Sequence, residues 1–201
     1  MGEDFFVRIN INGIKHIIDV LDGPISNEKL MKLISSKGMR KFIEHERAMN
    51  KNVDKYTLME EIIKLKTYKD YKDKFNFYIL NANLSNLSRE IEYIKLYEEQ
   101  IIKNALEKVY LILPRSLNIR SKIYLYGGGI DGAFTLNRRE IYINYIKYLA
   151  NKDELIKVIS HELFHCRDIS VKIKLKDYIR FNMKDRYLYE LLGKIFEEGI
   201  A

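Results

Sequence analysis

The sequence predicts an α+β fold, mostly helical, with a small β-sheet preceding a helix that carries a His-Glu-x-x-His motif. Three observations carry this. Apolar residues recur at three- and four-residue steps between Ser26 and Pro114. Alternating β-rich segments follow Pro114. An apolar run, VISHELFHC from Val158 to Cys166, then sets three ionisable groups in a setting where burial is costly unless something pairs with them.

In chain order, FFVRININGIKHIIDVLDGP is β-branched and turn-punctuated, ending at Gly23-Pro24. From Ser26 the pattern turns helical, with Leu30, Leu33 and Ile34 on one face. The same period runs through MRKFIEHERAMN and YTLMEEIIKLKTYKDY. It is clearest in LSREIEYIKLYEEQIIKNALEKVYLIL, which reads as one long helix closed by Pro114. After that proline, SKIYLY and REIYINY read as strands flanking the loop GGGIDG. Asn151 followed three residues later by Glu154 is a capping-box signature opening the histidine helix. Further helical pattern fills Asp177 to the end. The expected organisation is a helical part over residues 1–115 and a core over residues 116–201 that carries the small sheet and the histidine helix.

Composition narrows the class. With 47% hydrophobic and 31% charged residues the chain reads as globular rather than disordered. The start lacks a basic segment followed by an apolar one, so no secretory leader is expected. No apolar run approaches a membrane span, which argues against a membrane partner. One cysteine cannot form an internal disulfide and fits a reducing compartment, so a cytoplasmic location is expected. The net charge of +7 is spread among acids, as in KTYKDYKDKF, without a basic run, so nucleic acid is not the expected partner. The pattern is silent on oligomeric state.

The motif HELFH carries the chemistry. Helical residues four apart lie about 40° from each other around the axis, one turn up, so His161 and His165 present two imidazoles to one ion. Glu162 lies about 60° from His165, where a carboxylate reaches a water on the ion without itself ligating. Catalytic zinc takes three protein ligands and leaves a position for water. The ending LLGKIFEEGIA offers two acids for the third place. Glu198 shares the apolar stripe of Leu191 and Ile195, whereas Glu197 lies with Glu190 and Lys194 on the polar side. The competing readings are two core histidines hydrogen-bonded to Glu162 or backbone, and a solvent-exposed acid at the helix end.

HELFH followed by EEGIA resembles the gluzincin metallopeptidases, most closely the zinc-dependent peptidases of the peptidase-MA-like group. YLYGGGIDGAFTLNRREIYINY is similar to the small sheet ahead of their active-site helix, so the likeness spans about residues 119–201. It implies Zn2+ as cofactor, with His161, His165 and Glu198 as ligands and Glu162 as general base. The implied activity is hydrolysis of a peptide or protein substrate, received by a sheet-edge strand for which REIYINY is the candidate. The 32 residues between His165 and Glu198 exceed the spacing of the best-known gluzincins. Gluzincins also continue past the glutamate, whereas this chain ends three residues later, so a shortened core is expected. Two alternatives stand beside this reading: a non-catalytic zinc domain, and a helical binding module with incidental histidines.

Other signals weigh less. GGGIDG matches a dinucleotide fingerprint, but the next residues, AFTLNRREIYINY, read as strand where a helix is required, so a glycine-rich turn is expected. Cys166 points about 100° from His165 and is expected to pack. Glu44-His45-Glu46 is expected to be a solvated helix face, and Asp168 a surface acid at a helix end rather than a partner for a ligand imidazole.

Overall fold

Short polar caps start several of the helices. In the computed structural model, which describes residues 6–49, 52–113, 119–166 and 198, the first strand β1 (Val7–Asn10) runs into helix α1 (Asn12–Leu21). Ser26 accepts from Lys29 N to open α2 (Asn27–Ser35), and Ser36 accepts from Met39 N to open α3 (Lys37–Ala48). Asp54 accepts from Thr57 N at 2.7 Å and opens α4 (Lys55–Thr67). Next come α5 (Phe77–Ala82), α6 (Leu84–Leu96) and α7 (Glu98–Val109), then strands β2 (Ser121–Tyr126), β3 (Ala133–Leu136) and β4 (Glu140–Asn144). A 3₁₀ turn at Tyr145–Tyr148 leads to α8 (Lys152–His165). The architecture is α+β and mostly helical, with one small sheet ahead of the histidine helix. None of the described helices is long and apolar enough to cross a membrane.

The sheet order is β1-β2-β4-β3, with β1, β2 and β4 parallel and β3 antiparallel to β4. Its two faces differ, because side chains alternate along each strand. Tyr124, Tyr142 and Phe134 stack across three strands, with centroids 5.2 and 5.1 Å apart, and His45 of α3 extends the stack onto Phe134 at 4.1 Å. The opposite face meets α8, since Thr135 contacts Glu162 and Ser121 contacts Cys166. The buried core is continuous from Val7 and Ile14 through Leu87 and Ile102 to Ile159 and Leu163. Gly13 lets α1 approach β2: a Cβ there would lie 2.4 Å from the Leu125 carbonyl oxygen.

Three sequence expectations need correction. Only Val7–Asn10 of the β-branched opening is strand, because Ile14, Ile17 and Leu21 recur at helical steps and bury one face of α1. The long helix before Pro114 is two, broken at Tyr97. The break lets Glu98, at the start of α7, accept a hydrogen bond from Ile9 N at 2.8 Å and so occupy a donor of the edge strand β1. Finally, the REIYINY segment is not an edge: β4 is hydrogen-bonded to β2 on one side and β3 on the other. Among the described residues, the edge on the histidine side is β3.

Candidate metal centre and cleft

Helix α8 is positioned at both ends. Asn151 Oδ1 accepts from Glu154 N at 3.2 Å, with Asp153 and Glu154 in the positive first turn. Leu155, Ile159, Leu163 and Phe164 are buried and seat the helix on the sheet and on α7. That packing turns His161 and His165 toward a cleft. Their Nε2 atoms are 3.2 Å apart, with ring centroids at 4.8 Å and an interplanar angle of 75°.

Glu198 is helical, and its two carboxylate oxygens lie 3.8 Å from His161 Nε2 and His165 Nε2 respectively. One donor atom from each of the three residues falls within 4.8 Å of the others, and no second such group of His, Cys, Asp or Glu occurs among the described residues. The side chain of Glu198 is 68% exposed, so this acid stands on the rim of the cleft and not in the core.

The donor set fits zinc. Two nitrogens bound to one tetrahedral zinc at ~2.0–2.1 Å lie about 3.3 Å apart, close to the 3.2 Å between these imidazoles. The carboxylate, at 3.8 Å from each nitrogen, is too far for a hydrogen bond and close enough to share an ion with both. Two imidazoles and one carboxylate are a ligand combination that leaves a position open for water.

Glu162 is oriented by a residue that the motif does not reveal. It is buried, and its Oε2 accepts from the Thr135 hydroxyl at 2.5 Å. Glu162 also lines the cleft, so the carboxylate held on one oxygen by Thr135 stands beside the histidines. The cleft, about 500 Å³, is lined by Phe134, Thr135, Asn137 and Arg138 on one side and by His161, Glu162, His165 and Glu198 on the other. Its wall is therefore the edge strand β3 and the turn after it. No local pattern marked Thr135, since a lone hydroxyl in a strand is common; only the sheet order brings it to Glu162.

The remaining candidates also find places. GGGIDG is a loop followed by strand β3, as expected, with positive φ at Gly128 (+123°) and Gly129 (+77°). Fully buried Asn144 ties it down, donating to Gly128 O at 2.8 Å and Asp131 O at 3.0 Å. The Glu44-His45-Glu46 face is not uniformly solvated. Glu44 pairs with Lys41, His45 lies 3.0 Å from Asp131, and Glu46 is buried. Cys166 is buried with its Sγ 3.5 Å from Ser121 Oγ; burial above all pushes its thiol up from the usual range. Asp168 and Glu197 lie outside the described residues.

The same stretch of chain is matched by a known family. Residues 30–201 fit the model of a family described as "Putative zinc dependent peptidase (DUF5700)". The chain belongs to that family. The match extends from α2 to the histidine helix and Glu198, and the family is described as zinc dependent. No curated protein and no solved structure matches the chain.

Proposed function

We propose that this member of the zinc-dependent peptidase family hydrolyses peptide bonds in the gluzincin manner, with His161, His165 and Glu198 holding zinc and Glu162 acting as general base. The observation that carries the reading is the convergence of three potential ligand atoms within 4.8 Å, beside a buried carboxylate that lines the same cleft and is held on one oxygen by Thr135. Zinc, when bound, supplies Lewis acidity that makes water nucleophilic near neutral pH and polarises the carbonyl.

The protein's own groups do the rest. Thr135 holds Glu162 Oε2, which leaves Oε1 to take a proton from the attacking water. The water oxygen adds to the carbonyl carbon, and Oε1 then passes that proton to the amine nitrogen as the C–N bond breaks. Strand β3 offers an edge to which no strand is paired among the described residues, so an extended substrate can add to it through main-chain hydrogen bonds.

The test is zinc content and peptide cleavage, measured on untagged wild type, His165→Ala and Glu162→Gln. The reading expects one zinc per chain in wild type, little in His165→Ala, and full zinc with cleavage lost in Glu162→Gln. Equal zinc in wild type and His165→Ala would overturn the ligand set. Zinc binding without cleavage of any peptide in a mixed library would leave a non-catalytic zinc domain.

A further inference from the structure

The turn joining β3 to β4 carries an unusual residue. Arg139 N donates to Leu136 O at 3.2 Å, and the two residues between them, Asn137 and Arg138, both have positive φ, +53° and +54°. Asparagine tolerates that left-handed conformation, but arginine meets a steric penalty there that glycine would not. Strain of this kind persists where the surroundings hold it, and it is commoner at functional sites than elsewhere.

Arg138 is exposed, lines the cleft beside Glu162 and Glu198, and has no ion-pair or hydrogen-bond partner among the described residues. Arg139, next in sequence, is also exposed but does not line the cleft. The strained conformation thus sets on the cleft lining an exposed arginine with no ion-pair partner among the described residues. Without it, the cleft lining would hold no lysine or arginine for an acidic peptide to pair with, since the carboxylates of Glu162 and Glu198 would offset the charge of a bound zinc.

We propose that Arg138 is a specificity-determining residue that selects peptides presenting a carboxylate near the scissile bond. The inference rests on the peptidase reading above and adds a substrate class to it. An extended peptide laid along β3 advances about 3.3 Å per residue, which brings a group roughly two to four residues from the reacting bond opposite the turn. One planar guanidinium matches one carboxylate by two parallel hydrogen bonds, whereas phosphate-bearing motifs are read by clusters of arginines. The carboxylate comes either from an Asp or Glu side chain or from a free C-terminus.

Wild type, Arg138→Gly and Arg139→Ala are compared, all loaded with zinc. Glycine adopts the turn without strain, so the melting temperature of Arg138→Gly should equal or exceed that of wild type. Cleavage sites are mapped on a peptide library prepared with free and with amidated C-termini. The expected wild-type profile is enriched either in Asp and Glu at one position or in cuts at a fixed distance from a free C-terminus, and amidation separates these two sources. The enrichment should fall about fivefold in Arg138→Gly, as suits one solvent-rimmed ion pair, and persist in Arg139→Ala. A wild-type profile without such enrichment, or enrichment surviving in Arg138→Gly, overturns the proposal.

Binding gives a second readout independent of catalysis. A labelled Glu-containing dodecapeptide and its Gln twin, each as the free acid and the C-terminal amide, are titrated onto Glu162→Gln protein with and without Arg138→Gly. Preference for the Glu peptide or for the free acid that vanishes with Arg138 supports the assignment even if wild type cleaves nothing, in which case the peptidase reading alone falls. Equal binding of the Glu and Gln peptides, together with equal binding of their free-acid and C-terminally amidated forms, overturns the assignment.

Discussion

Replacing Thr135 by valine should slow cleavage without removing zinc, and the size of the effect follows from one hydrogen bond. The hydroxyl donates to Glu162 Oε2 at 2.5 Å, the short distance typical of an O–H bonded to a carboxylate. Hydrogen bonds to charged groups are worth about 1.5–3 kcal/mol. Thr135 is half-buried and faces the cleft, so water recovers part of that when the hydroxyl is lost, leaving ~1–2 kcal/mol of orientation. At about 1.4 kcal/mol per tenfold, kcat/KM falls roughly 5- to 30-fold. Valine keeps the shape, so the melting temperature should barely move, and Thr135→Ser should restore most of the rate. The assay is steady-state hydrolysis of a quenched peptide, with metal content measured on the same samples. Thr135→Val working at the wild-type rate would refute the anchoring role. Loss of zinc in Thr135→Val would move the defect from the base to the metal site.

Two further expectations concern the scaffold. Gly13→Ala places a Cβ against the backbone oxygen of Leu125, which no rotamer change relieves, so α1 must shift from the sheet at ~1–3 kcal/mol despite the better helix propensity of alanine. Urea unfolding reads it, and a raised midpoint would contradict the packing argument. Burial disfavours the charged form of Glu61. Its hydrogen bonds from Tyr71 (2.8 Å) and Lys74 N (3.1 Å), with the Lys64 and Lys74 charges, outweigh this and hold the carboxyl below its usual range. A carboxylate depressed in the folded state stabilises at pH above its unfolded value, and that contribution is lost as pH falls through the folded one. Glu61→Gln should therefore lower the melting temperature most at neutral pH, with the gap closing below about pH 4. A gap independent of pH would show that the charge of Glu61 contributes nothing.

The parts legible in the sequence are those decided within a few residues. A helix fixes the relation of His161 to His165 by its own repeat, and the Asn151 cap and the glycine-rich loop are local backbone chemistry. Periodicity also nominated Glu198 over Glu197 by setting it on an inward apolar stripe, but Glu198 is 68% exposed at the cleft rim, and Leu191, Ile195 and Glu197 lie outside the described residues. What only the tertiary structure decided involves partners distant along the chain. Tyr97 could have continued a helix by its pattern, yet a break there lets Glu98 reach Ile9, 89 residues earlier. The strand read as the sheet edge became interior because β3 folds back beside it, and alternation along a strand encodes its faces but not its neighbours. Thr135 reaches Glu162, and Arg138 the cleft mouth, for the same reason. Periodicity tells each element which face to bury, while the position of that face against another is settled only when the whole core packs.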